Sequence, residues 1–204
     1  MAGTNTAAQP ITVFKVIGGP GDALPLSMRL PQAALQTLAF GTIVQIVAGF
    51  VQAAGTIAAP TLLAGVSSQA GDNLATAGTA PFGGSSIIYG RVPNQPAAVN
   101  IPIGAPPMDG TLGVILASDS TIFDAVTDAA HVLAATDVGS VFGLTKDATT
   151  GQWFVDTTIT TPATGACAEV TELIDPIGVG AFGVGTTGGR VAWRFTRPCQ
   201  QLFQ

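Results

Sequence analysis

Residues 30–71 read LPQAALQTLAFGTIVQIVAGFVQAAGTIAAPTLLAGVSSQAG, and no Lys, Arg, Asp or Glu occurs between Arg29 and Asp72. A stretch of that length without charge either crosses a bilayer or packs against protein. A spanning helix needs about 20 predominantly apolar residues in a row. The best window, Leu38 to Ala58, is interrupted by Gly41, Gly49 and Gly55 and contains Thr42, Gln45, Gln52 and Thr56. No basic cluster flanks it to set an orientation. The stretch therefore reads as strands. Ile43, Val44, Ile46, Val47, Phe50 and Val51 are β-branched or aromatic and suit a pleated, buried surface, with Gly49 marking a bulge. A second run, Thr56 to Val66, has Pro60 in its middle, which predicts an edge strand or a broken one.

Working outward, the whole chain has the same character. Charged residues are 9 % of its 204 residues, against a typical ~25 %. Gly 26 and Pro 14, with abundant Thr, favour short strands and tight turns over helices. The expected fold is all-β, a barrel or sandwich with short strands and a long irregular Pro-rich arm. Residues 1–10 are expected to form a flexible N-terminal arm and 11–204 a single β-rich domain. So few charges cannot cover a monomer's surface, which predicts that other subunits cover part of it. The net charge of −5 argues against a nucleic-acid partner. The opening MAGTNTAAQP has neither a basic n-region nor an apolar h-region, so synthesis in the cytoplasm is expected. Cys167 and Cys199 then read as two free thiols of a reducing compartment, with a disulfide as the other reading.

Further elements follow from pattern. Ile11–Ile17 is a strand before the GGPGD turn, and a short helix is expected over Gln32–Leu38 with Pro31 at its start. Ile87–Val92 reads as a strand, and Leu112–Leu116 and Thr121–Val126 as strands or one short helix. Val138–Thr145 and Gly151–Asp156 form a hairpin turning at 146–150. In Arg190–Thr196 the alternation is clean: Val191, Trp193 and Phe195 face one way, Arg190, Ala192, Arg194 and Thr196 the other.

No catalytic constellation emerges, and the chain is expected to be neither an enzyme nor a cofactor or metal binder. Two G-x-G-x-x-G matches, at Gly178–Gly183 and Gly183–Gly188, precede a strand rather than a helix, which leaves them as glycine-rich loop. His131 is the one histidine. A triad would need it, oriented by Asp128 or Asp137, but no nucleophile elbow is present and a packing role is expected. Asp119, Asp124 and Asp128 lack calcium-loop spacing. Glu169 and Glu172, three apart on a strand, should lie on opposite faces in solvent.

Residues 93–110, PNQPAAVNIPIGAPPMDG, cannot be helix or central strand because of Pro93, Pro96, Pro102, Pro106 and Pro107. They read as an extended arm that docks on a partner, with Ile101, Ile103 and Met108 as apolar anchors and Arg91 and Asp109 at the margins.

Two stretches, GTIVQIVAGFVQAAGTIAAPTLLAGVSSQAG at 41–71 and DVGSVFGLTKDATTGQWFVDTT at 137–158, resemble head-decoration (capsid cement) proteins of tailed bacteriophages. The resemblance implies a non-enzymatic structural protein on the virion's capsid surface. It implies as partners the major capsid protein and further copies of the chain, as a trimer. Such a protein holds neighbouring capsomers together, and multivalent attachment makes weak contacts firm. No membrane partner is implied. Two other readings stand beside it: a small membrane-inserted protein built on residues 38–66, and a tail- or fibre-associated carbohydrate-binding module.

Overall fold

The computed structural model describes residues 10–17, 25–33, 38–56, 58, 63–70, 111–178 and 188–201. The strands are β1 (Thr12–Val16), β2 (Ser27–Pro31), β3 (Ile43–Val47), β4 (Phe50–Ala53), β5 (Leu63–Ser67) and β6 (Thr111–Leu116). They continue with β7 (Thr121–Val126), β8 (Val141–Lys146), β9 (Trp153–Asp156), β10 (Ala166–Leu173) and β11 (Arg190–Phe195). Six of them form an antiparallel sheet in the order β1-β7-β11-β10-β8-β9, and five form another in the order β2-β6-β5-β3-β4. The molecule is an all-β sandwich, as its composition predicts. Single bridges, Thr127 to Val155 in the first sheet and Gln32 to Val51 in the second, show that each sheet curls, but among the described residues no ladder runs round to close a barrel.

The charge-free stretch is explained by the five-stranded sheet, which is apolar on both faces. Ile43, Leu63 and Val66 point into the core shared with the other sheet. Val44, Val51, Ala64, Leu112, Val114 and Leu116 point the other way and form a second cluster with Leu38, flanked by Leu30, Ile46 and Ala53. Burying each such side chain contributes about 1.5–3 kcal/mol, and a charge at any of these positions would cost more than that. Curling lets the sheet bury part of its own far face, since Ala33 N donates to Val51 O at 2.8 Å across the gap. Gly65 sits where this sheet is tightest. A Cβ there would lie 2.0 Å from the Ile115 carbonyl oxygen.

The shared core is anchored by aromatic residues. Trp193 stacks on Phe123 at a centroid distance of 5.2 Å and meets Phe195 edge-on at 4.9 Å. Val191, Trp193 and Phe195 are buried together, as the period-2 pattern of β11 predicts. The segments 112–116 and 121–126 are strands, and the 138–156 hairpin forms as β8 and β9. Its turn is fixed by Asp147, whose Oδ1 accepts from Thr149 N at 3.0 Å and Thr150 N at 2.7 Å.

Four expectations are corrected. Gly49 is not a bulge: Ala48 and Gly49 have φ of 51° and 85° and make the two-residue turn of the β3–β4 hairpin, which needs positive φ at both positions. For the second apolar run the edge-strand alternative is the one corrected: β5 begins at Leu63, beyond Pro60, and lies between β6 and β3, which leaves the broken-strand alternative. Pro31 does not open a helix. It ends β2 opposite Thr111, and Gln32 bridges Val51. Glu169 and Glu172 share a face, because a register shift between Val170 and Glu172 restores the phase that their spacing breaks. Residues 34–37, the Ile87–Val92 strand and the 93–110 arm lie outside the described residues.

Candidate interaction surface

The chain passes from one sheet to the other at Ala117–Ser120, between β6 and β7. Ser118 Oγ lies 3.0 Å from Thr121 Oγ1 and 3.2 Å from Ser120 Oγ, which holds the turn tight. This turn brings two sheet edges together. Ile17 N, just past β1, donates to Ser120 O at 2.7 Å, and Leu116 N donates to Leu26 O at 2.8 Å just before β2. Strands β1 and β2 are the edge strands of their respective sheets. They and their ends carry Phe14, Ile17, Leu26 and Met28, each at least 40 % exposed. Sheet edges offer backbone groups for further pairing, although just past β2 Ala33 N is already taken by Val51 O, and exposed apolar side chains lie beside them here.

Between these edges lies a cleft of about 530 Å³ lined by Ile17, Leu26, Ser118, Asp119, Arg197 and Gln200, among others. A second depression of about 340 Å³ includes Glu169 and Thr196 and shares Asp119, Arg194 and Arg197 with the first. Arg197 Nε donates to Asp119 Oδ2 at 2.7 Å, and Arg194 makes a bidentate pair with Glu169 at 2.9 and 3.0 Å. The Arg197 hydrogen bond holds the Asp119 carboxyl below the usual carboxylate range, against a smaller opposing effect of burial, with Gln200 assisting. Both guanidinium groups are thus engaged by carboxylates.

Asp128, Asp156 and the His131–Asp137 pair are engaged locally. Asp128 accepts from Ala130 N at 3.2 Å and from Thr157 N at 3.1 Å, and Asp156 accepts from Thr145 Oγ1 at 2.9 Å and Thr158 N at 3.0 Å. These buried aspartates pin turns, as short carboxylate side chains commonly do. His131 is not merely packed: its Nε2 lies 2.8 Å from Asp137 Oδ2, which also accepts from Ala134 N at 2.8 Å. The structure therefore joins His131 to one of its two candidate orienters and leaves Asp128 elsewhere. Among the described residues no hydroxyl or thiol is hydrogen-bonded to the side chains of this pair. Asp119, Asp124 and Asp128 have separate partners in Arg197, Arg190 and Thr157. Among the described residues no group of His, Cys, Asp or Glu could hold a metal ion. Gly178 N is used by Leu133 O at 2.8 Å, and a Cβ on Gly188 would lie 2.3 Å from Thr127 O, so the described ends of the glycine-rich matches serve packing.

The residues expected to make contacts, Arg91, Pro93, Pro96, Ile101, Pro102, Ile103, Pro106, Pro107, Met108 and Asp109, lie outside the described residues. The surface above rests on other side chains, which the sequence reading passed over. Phe14, Ile17, Leu26 and Met28 look like ordinary strand residues until the topology places β1 and β2 at adjoining edges. No helix among the described residues is long and apolar enough to cross a membrane. Comparisons of the chain with protein-family models, with curated proteins and with solved structures return no match.

Proposed function

We propose that the chain is a structural virion protein that binds the outside of a phage capsid. It acts without catalysis, as a trimer, and ties neighbouring capsomers together through the major capsid protein. The observation that carries this reading is the pair of adjoining edge strands, β1 and β2, with Phe14, Ile17, Leu26 and Met28 exposed along them. Such an edge can accept a strand from a neighbour, with backbone hydrogen bonds supplying affinity and alternate side chains supplying fit. The 93–110 arm supplies a second attachment in this reading. Its prolines restrict the free chain and lower the entropy lost on docking. Many weak attachments to a repeated lattice then add up.

The test is co-sedimentation of the purified chain with undecorated heads, alongside a variant lacking 93–110. Full-length chain should pellet with heads and raise their resistance to heat, because a ligand of the assembled lattice stabilises it by mass action. The deletion should stay folded and remain in the supernatant. Native mass spectrometry should find three copies per complex. Absence of binding by both proteins removes the capsid reading.

The cleft favours a second reading, a tail- or fibre-associated module that binds a carbohydrate. Asp119 and Arg197 present planar polar groups beside the apolar Ile17 and Leu26, a mixture suited to sugar hydroxyls and ring CH groups. Binding to host-cell glycans rather than to heads would select it.

A further inference from the structure

We propose that Cys167 and Cys199 are the site of an intramolecular disulfide that forms when the folded chain meets an oxidising environment, and that this bond staples the C-terminal segment across both sheets. Cys167 lies near the start of β10, and Cys199 ends a short 3-10 turn, Arg197–Cys199, that follows β11. The pairing of β10 with β11 brings them together. Ala168 is opposite Phe195, Thr196 N donates to Cys167 O at 3.0 Å, and Cys199 N donates to Thr196 O at 3.0 Å. Cys199 Sγ lies 3.0 Å from Thr196 Oγ1 and 3.9 Å from Ala166 O. Both side chains are buried in the same core cluster. Cys199 Sγ therefore sits within one residue of Cys167 along β10, the proximity that an S–S bond of about 2 Å needs.

The segment beyond Cys199 gives the bond a consequence. Gln200 bridges Leu63 of β5, and Gln201 N donates to Leu63 O at 2.9 Å. The Gln201 side chain bonds both Ile46 N and Ile46 O of β3, each at 2.9 Å. This strap leaves the six-stranded sheet and ends on the five-stranded one. It is held to β10 at its root by the two cysteines. Arg197 and Pro198, which precede Cys199, are exposed, so opening this one turn admits a small oxidant.

The roles of the two sulfurs differ. The hydrogen bond from the Cys167 thiol, with a second from Thr196, draws the Cys199 thiol below its ordinary range, while the same thiol–thiol bond and burial push Cys167 up. Cys199, in the turn beside the exposed Arg197 and Pro198, is the attacking thiolate in this proposal. With a low-molecular-weight disulfide as oxidant, Cys199 Sγ attacks one sulfur, forms a mixed disulfide and releases one thiolate. Cys167, losing its proton, then attacks Cys199 Sγ and releases the second thiolate. Two protein thiols lose two protons and two electrons, and the oxidant is reduced to two thiols.

The inference is independent of the capsid reading. Its test is incubation of the native full-length chain with oxidised glutathione at mildly alkaline pH. The expected product is a monomer about 2 Da lighter than the reduced chain, with one peptide pair joined at Cys167 and Cys199. Its thermal midpoint should rise by roughly 5–10 °C, reversibly with dithiothreitol. Cys167→Ser should trap glutathione on Cys199, whereas Cys199→Ser should leave Cys167 unmodified in the folded state. A native chain that keeps its reduced mass while the urea-unfolded chain oxidises overturns the site. A bond that forms without raising the midpoint overturns the stapling role.

Discussion

The outer face of the six-stranded sheet carries Lys15, Asp124, Glu169, Glu172, Arg190 and Arg194, joined as Lys15–Glu172, Arg190–Asp124 and Arg194–Glu169. The corresponding face of the five-stranded sheet carries Val44, Val51, Ala64, Leu112 and Val114, all buried. One sheet meets water with paired charges, and the other turns its far face into a second small core. Part of the scarcity of charge thus arises within the chain, from a sheet that is apolar on both sides. The edges where the two sheets adjoin carry exposed apolar side chains at Phe14, Ile17, Leu26 and Met28.

The largest expected effect comes from treating the two faces as if they were alike. Val114→Asp places a carboxylate in the second core with no donor arranged for it. It should cost more than about 4 kcal/mol, enough to abolish a cooperative thermal transition. A soluble, cooperatively melting Val114→Asp protein would mean that this face is not the buried core described above. On the other sheet, Arg194→Ala removes a bidentate but part-exposed pair and should lower stability by only about 1 kcal/mol in urea denaturation. A loss as large as that of Val114→Asp would erase the distinction.

The smallest effect lies at the cleft. Arg197 holds the Asp119 carboxyl low, so its contribution is fully present above the unfolded value near 3.8 and is lost as pH falls through the lower folded value. Both side chains are well exposed, so the consequence is a shifted titration rather than a change in stability. Carbon-detected NMR should find Asp119 titrating below the other exposed carboxylates, and Arg197→Ala should return it to the ordinary range. An unchanged titration would show that Gln200 and the turn, not Arg197, set it.

How far the sequence could be read varies with the kind of contact. The alternation of β11 was fully legible, because Val191, Trp193 and Phe195 need only the two-residue period of a strand to be placed. The β8–β9 hairpin was legible from Asp147 and the threonines of its turn. The β3–β4 turn was not, because Ala48-Gly49 lacks the Asn or Asp that usually announces positive φ at both positions. The common face of Glu169 and Glu172 depends on a register shift that no local pattern marks. The His131–Asp137 pair could be named as one of two candidates because only six residues separate its members. The approach of Cys199 to β10 and the β1–β2 edge surface depend on which strands pair over long separations. Nothing in the local sequence around Cys167, Ile17 or Leu26 carries that information.

The comparison and the proposed function meet in one measurement, quantitative co-sedimentation with purified heads of two folded variants beside the unmodified chain. Leu26→Glu combined with Met28→Glu alters the β2 edge, where both side chains are about half exposed. Arg190→Ala, on the inner strand β11, removes the ion pair with Asp124 from the charged face. The account predicts at least about a tenfold loss of head affinity for the edge variant and unchanged affinity for the face variant. Full binding by the edge variant, or a loss confined to the face variant, would contradict it.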